Sequence, residues 1–241
     1  MILNLPPYRI PVKVLKAEKP RIQIKFLPES PELIIISPTG TFSESVRAFI
    51  QQKERWIRQH YPRNLNQHNA RQQFHQKLKA HQIQILGTER AFQFTPSRRE
   101  HVKLTAKAIE VEHVPFRDQK DEMIFKYNAL RTLAKPILTQ RTHQWAAKTQ
   151  SRFNQVRVKD HKSKWGSCSN KDNINLNWHL ILLPEILMDY VIVHELMHLR
   201  VFNHSPEFWQ EVARYMPNYQ QYDHDLETYR WMIGIFEPFI R

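Results

Sequence analysis

Cysteine is nearly missing from this chain: Cys168 stands alone in 241 residues, so no disulfide can form within it, as suits a reducing compartment. Glycine is scarce too, and four residues leave no Gly-rich loop of the kind that cradles phosphates. No apolar run approaches the roughly 18 residues of a membrane span. The opening Met1-Ile2-Leu3-Asn4-Leu5-Pro6-Pro7 also lacks the charged flank and apolar stretch of a signal peptide. The expected compartment is the cytoplasm. Acidic residues run short in one part only: residues 1–150 hold 26 Lys and Arg against 12 Asp and Glu, while residues 151–241 hold 10 against 11. The net charge of +13 therefore belongs to the first part. Such a surface attracts nucleic acid, nucleotides or acidic protein in a salt-sensitive way. The cations are scattered rather than packed in one run, so solubility alone is the competing reading.

What is present suffices for a core, since 41% of residues are hydrophobic and 11% aromatic. Short β-like runs at residues 10–15, 22–26 and 33–36, punctuated by prolines, predict two or three strands. Ser43 reads as the N-cap of a helix reaching about Tyr61, with Val46, Phe49, Ile50 and Ile57 at helical spacing and Pro62 ending it. Residues 59–84, rich in Gln, Asn, His and Arg, read as a polar connector with a helical piece. Further strands are expected at 83–86, 91–94 and 102–111, with Gly87 available for a turn. Residues 118–150 are periodic at helical spacing through Met123, Tyr127, Leu130 and Leu133, with a kink at Pro136, and this helix is expected to join the two halves.

A strand at 156–158 and a turn at 169–172 lead into the alternation of Ile174, Leu176, Trp178 and Leu180 with Asn173, Asn175, Asn177 and His179, the pattern of a hairpin. Pro184 opens a helix over 185–199. Ser205 and Pro206 cap and start another, which carries Trp209, Val212, Ala213 and Met216 until Pro217 stops it. No internal repeat is visible. The fold class is α+β, divided into a basic β-rich part with one or two helices at 1–117 and a second part at 118–241.

Within the second part, His194-Glu195-Leu196-Met197-His198 is H-E-x-x-H on a predicted helix. The four-residue offset puts both imidazoles on one face, one turn apart, where both reach a single Zn²⁺, and Glu195 lies beside them to accept a proton from water on the metal. Independent placement of the 13 His and 16 Glu would yield about 0.05 such matches in the chain. His204 follows with five residues between, and requiring it lowers the expectation to about 0.002. His194, His198 and His204 together would leave a fourth position open, as catalytic zinc sites do. Asn203 is expected to make the sharp turn by adopting left-handed backbone angles. The spacing matches the metzincin ligand set, but Val201 stands at its glycine position, which argues against that class. Alternatives stay open at this point: two buried, hydrogen-bonded histidines; a structural zinc; a closed site with Cys168 as fourth ligand, against its simpler reading as a buried apolar residue. His161, His179 and His224 have no ligand-like spacing, and Trp165, Trp178 and Trp209 read most simply as core.

The run Lys164-Trp165-Gly166-Ser167-Cys168-Ser169, then Asn175-Leu176-Asn177-Trp178, Leu183-Pro184, Val193 to Leu199, Asn203-His204-Ser205-Pro206 and Phe208-Trp209 resembles, in order and spacing, the YgjP-like metal-dependent hydrolases. These are zinc-metallopeptidase-like and distantly similar to SprT-like and WSS1-like proteases. The resemblance implies a zincin-like second part, Zn²⁺ on His194, His198 and His204, and Glu195 as acid/base. It implies a metal-dependent hydrolase acting on a peptide or protein substrate, with the strand at 173–180 as an edge for an extended peptide. The chain departs from the family pattern in Lys164 for the usual arginine, Asp172 where glycine is frequent, and few arginines near 13–25. Two other readings use the same residues: hydrolysis of a nucleotide phosphoanhydride, and a nucleic-acid or partner-binding protein with a structural zinc.

Overall fold

The computed structural model describes residues 1–18, 21–27 and 30–237. The chain divides into two compact units, Met1–His75 and Gln76–Arg241. This division falls before the expected boundary at 117/118.

In the first unit, β1 (Ile2–Leu5), β2 (Tyr8–Lys16), β3 (Gln23–Leu27) and β4 (Ser30–Ser37) form a sheet of order β1-β2-β4-β3. The central pair β2 and β4 is parallel, and both outer pairs are antiparallel. Helix α1 (Glu44–Gln52) begins at Ser43, whose side chain accepts from the Val46 amide as the sequence predicts. Ile10, Val12, Leu33, Ile35, Val46, Ile50, Ile57 and Tyr61 make one core. Pro62 does not end the helical stretch. Helix α2 runs Glu54–Lys79 with Pro62 inside it, so the expected polar connector is largely helix. Gln, Arg, Lys and Ala are good helix formers even where no apolar stripe announces them.

The second unit opens with β5 (Gln82–Ile85), β6 (Thr88–Pro96), β7 (His101–Leu104) and β8 (Ala108–His113), in the order β5-β6-β8-β7. The run 102–111 is thus two antiparallel strands around a turn, in which the Thr105 hydroxyl bonds the Ala108 backbone at 3.0 Å. Helix α3 (Gln119–Thr149) starts at Asp118, which accepts from the Asp121 amide at 2.8 Å, and runs on through Pro136. It lies within the second unit and does not join the two units, because α2 spans that boundary.

Beyond α3, β9 (Gln155–Lys159), β10 (Gly166–Cys168) and β11 (Asn173–Asn177) form a sheet of order β10-β11-β9. The hairpin turn is where expected, with Asp172 taking the left-handed φ of 53° that aspartate tolerates. The strand, however, stops at Asn177. The Asn177 side chain accepts from the His179 amide at 3.2 Å and faces His179 Nδ1 at 2.7 Å, starting a 3-10 turn over Trp178–Leu182. Its amide also donates to the carbonyls of His161 and Lys164 at 2.9 and 3.0 Å. The expected polar face is buried, at Asn173, Asn175, Asn177 and His179 alike. Three helices follow, α4 (Glu185–Met197), α5 (Pro206–Tyr215) and α6 (Tyr219–Thr228). Arg141 of α3 fixes α4 by a two-pronged pair with Asp189, at 2.5 and 2.6 Å, and a contact to Glu185 at 2.6 Å. Among the described residues no helix is long and apolar enough to cross a membrane.

Candidate metal centre

Helix α4 is apolar on nearly every side, with Leu187, Met188, Tyr190, Val191, Ile192, Val193, Leu196 and Met197 buried. A helix of that composition is enclosed by its neighbours, so His194, Glu195 and His198 stand on a rigid element. After Met197 the chain tightens, the Leu199 and Arg200 amides bonding the carbonyls three residues back at 3.1 and 3.0 Å. Asn203 does not adopt the expected left-handed backbone; it is absent from the residues of positive φ. Its side chain instead accepts from the Ser205 amide at 3.3 Å, turning the chain through a local side-chain bond. Ser205 holds the cap position of α5 and Pro206 the first position, but the Ser205 side chain makes no hydrogen bond to an α5 amide. Arg200 ties the turn down, reaching Glu211 of α5 and the Thr149 carbonyl at the end of α3.

The result is convergence. His194, His198 and His204 each bring one ring nitrogen to within 4.8 Å of the others, and His194 Nε2 lies 3.0 Å from His204 Nε2. His198 Nδ1 is 3.1 Å from the Val201 carbonyl, which accepts its proton and leaves Nε2 as a lone pair for the cluster. Phe208, fully buried, packs its ring at 4.9, 4.4 and 4.9 Å from the rings of His194, His198 and His204. Trp209 adds contacts to His194 and His204 at 5.8 and 5.6 Å. The aromatic pair beside the ligand helix thus orients the imidazoles, which its helical spacing did not reveal. Burial, reinforced by His198 and His204, pushes His194 down to about 3, and burial also lowers His198. Neutral imidazoles are what a metal requires.

Glu195 is 6% exposed, and burial pushes its carboxyl up to about 8, opposed by Lys164 and by a hydrogen bond from the Cys168 amide. Its Oε2 has no partner in the protein. A Cβ on Gly166 of β10 would stand 2.6 Å from Oε1, so the carboxylate occupies the space that a side chain would fill. Cys168 does not join the cluster. It is half-buried, its thiol pushed up to about 11 by burial with help from Glu195 and Asp172. His179 and His161 lie elsewhere, lining a cavity with Tyr127 and Asp160. Three converging imidazoles, two of them lowered by burial, fit a divalent metal of the imidazole-binding kind.

Residues 21–229 match the model of the YgjP-like, metallopeptidase domain. The chain belongs to the YgjP-like metallopeptidases. No curated protein matches it. Among solved structures, this YgjP-like chain is similar to the metallopeptidase zymogen of Pyrococcus abyssi abylysin, at 24% identity over 38% of this chain and 92% of that one, with a TM-score of 0.36. The metallopeptidase zymogen of Methanocaldococcus jannaschii jannalysin matches at 22% identity over 37% and 92%, with a TM-score of 0.34. The family implies a metal ion and points to a metal-dependent hydrolase.

Proposed function

We propose that the protein is a zinc-dependent peptide hydrolase in which His194, His198 and His204 hold the ion and Glu195 moves the proton. The observation that carries this reading is the convergence of three imidazole nitrogens beside a buried carboxylate with one unpartnered oxygen. A bound Zn²⁺ supplies a Lewis acid and brings the pKa of its water towards 7. The positive charge of a bound ion would favour the ionised form of Glu195, which would then take the proton from the attacking water and pass it to the leaving amine. The space left at Gly166 admits the carboxylate, and the Cys168 amide favours its charged form. The substrate backbone is read as lying along β10. The expected edge at 173–180 is not free, because β11 is paired on both sides, whereas β10 is an outer strand. The cation excess of residues 1–150 favours substrates or partners with anionic stretches, bound more weakly as salt rises.

The family supports peptide over nucleotide as substrate, and the test includes both. The metal-loaded protein and Glu195→Gln are assayed against a peptide library and a nucleotide panel, with zinc measured by elemental analysis. The expected outcome is about one Zn²⁺ per chain in both proteins, peptide cleavage by the wild type, and a fall of roughly 10²–10⁴ in Glu195→Gln, the span for losing a general base. Wild-type turnover in Glu195→Gln, or a reconstituted wild type without divalent metal, overturns the reading.

A further inference from the structure

Between α3 and β9 lies a cavity of about 510 Å³ that the hydrolytic site does not use. Arg131 and Lys135, one helical turn apart on α3, line it together with Lys159 at the end of β9 and Trp178. Asn128 of α3 adds a side-chain amide, while the Thr132 hydroxyl already donates to the Asn128 carbonyl at 2.9 Å. None of the described lining residues is acidic. Arg131 sits with its guanidinium 5.2 Å from the Tyr127 ring centroid, a contact that places the cation without neutralising it. Lys135 and Lys159 are exposed and form no ion pair among the described residues. Trp178, 1% exposed, has an indole N–H with no acceptor in the protein. A buried donor left unpaired is costly and uncommon in a native fold.

We infer that this cavity binds a small oligoanion of the phosphate type. Guanidinium, two ammonium groups and a side-chain amide together offer many donors, which suits a ligand made of acceptor oxygens. Three cations without a lining carboxylate match a ligand of two or more negative charges. Donors drawn from a helix and from a strand end approach from different directions, as a tetrahedral group accepts them better than a planar one. Trp178 lines the same cavity, so its indole N–H reports a ligand bound there. β9 and β10 are the two outer strands of their sheet, so this site and the Glu195 carboxylate stand at opposite edges of it, and the inference does not depend on the hydrolytic reading.

The test titrates inorganic phosphate into the ¹⁵N-labelled, metal-loaded protein, with ionic strength held constant by chloride. The readout is the Trp178 indole N–H resonance. A saturable shift of that resonance is expected, with sulfate competing and malonate not. Lys135→Met and Lys159→Met, both at exposed positions, should each weaken the apparent affinity about tenfold, the loss of one charge-assisted bond, and leave zinc content unchanged. A resonance that does not move or drifts without saturating overturns the proposal, as do lysine variants that bind like the wild type. Malonate binding tighter than phosphate overturns the tetrahedral assignment.

Discussion

Gly166 is needed for space rather than for backbone freedom. Besides the 2.6 Å approach to Oε1, its added Cβ would stand 2.7 Å from Glu195 Cγ and 2.9 Å from Cδ, closer than side chains pack. Gly166→Ala must therefore displace the carboxylate. Turnover is expected to fall about 10²-fold, the usual effect of misplacing a reacting group by about 1 Å, while the three imidazoles keep their zinc. Kinetics on a verified peptide substrate, with metal analysis of the same preparation, check this. Zinc lost together with activity would make Gly166 a support of the whole centre instead. The Trp-Gly-Ser run stands out in the sequence, but the reason for its glycine does not, because the carboxylate that needs the space comes from α4, far along the chain. Phe208 is a similar case: it lies outside the apolar stripe read for its helix, and only the fold shows three imidazoles packed on its ring.

At the level of elements, the centre depends on how the chain gets from α4 to α5. His194 and His198 are aligned by one helix, but His204 arrives through a turn that Asn203 and Arg200 shape. Arg200 holds no position in the H-E-x-x-H pattern, yet it fastens this turn to the middle of α5 and to the end of α3. Arg200→Met should keep the helices, as judged by circular dichroism, and weaken zinc affinity by about 10–100-fold, the usual cost of losing a group that orients a ligand. Competition with a chelator measures it, and an unchanged affinity would remove Arg200 from that role. Helix α2 shows the opposite limit of sequence reading. Its amide- and arginine-rich run carries little periodicity, and Pro62 looks like a stop, so a helix stabilised by good intrinsic formers reads as a connector.

Across the whole molecule, a repeat emerges that the sequence conceals. Each unit contains a four-stranded sheet whose central strands are parallel, opened by a hairpin with a two-residue turn and followed by a helix. The residues differ because alternation, not identity, satisfies a sheet face.

Global stability is tied to a buried base outside the metal centre. Burial pushes His179 down to about 3, with Asp160 opposing and Arg131 assisting. Its ordinary value is about 6.5, so below that pH the unfolded chain takes up a proton that the folded chain refuses. Stability is full above about pH 6.5 and falls towards pH 3, by up to about 1.4 kcal/mol per pH unit for this group. Urea unfolding between pH 7.5 and 5 should show a shallower acid loss in His179→Gln than in the wild type, and equal slopes would mean that His179 is not held neutral. His194 and His198, also lowered, keep part of the slope in both proteins.

The H-E-x-x-H spacing, the cap at Ser43, the hairpin turn at 169–172 and the α5 start at Ser205-Pro206 were legible in the sequence by itself. Each depends on residues within a turn or two of one another, where covalent geometry sets what can meet. Tertiary structure alone decided that the asparagines of β11 are buried, that β10 rather than β11 carries the outer edge, that Asn203 turns the chain without left-handed angles, and that Gly166 faces Glu195. Those outcomes depend on which segments pack together, and local pattern is silent about partners that arrive from elsewhere in the chain.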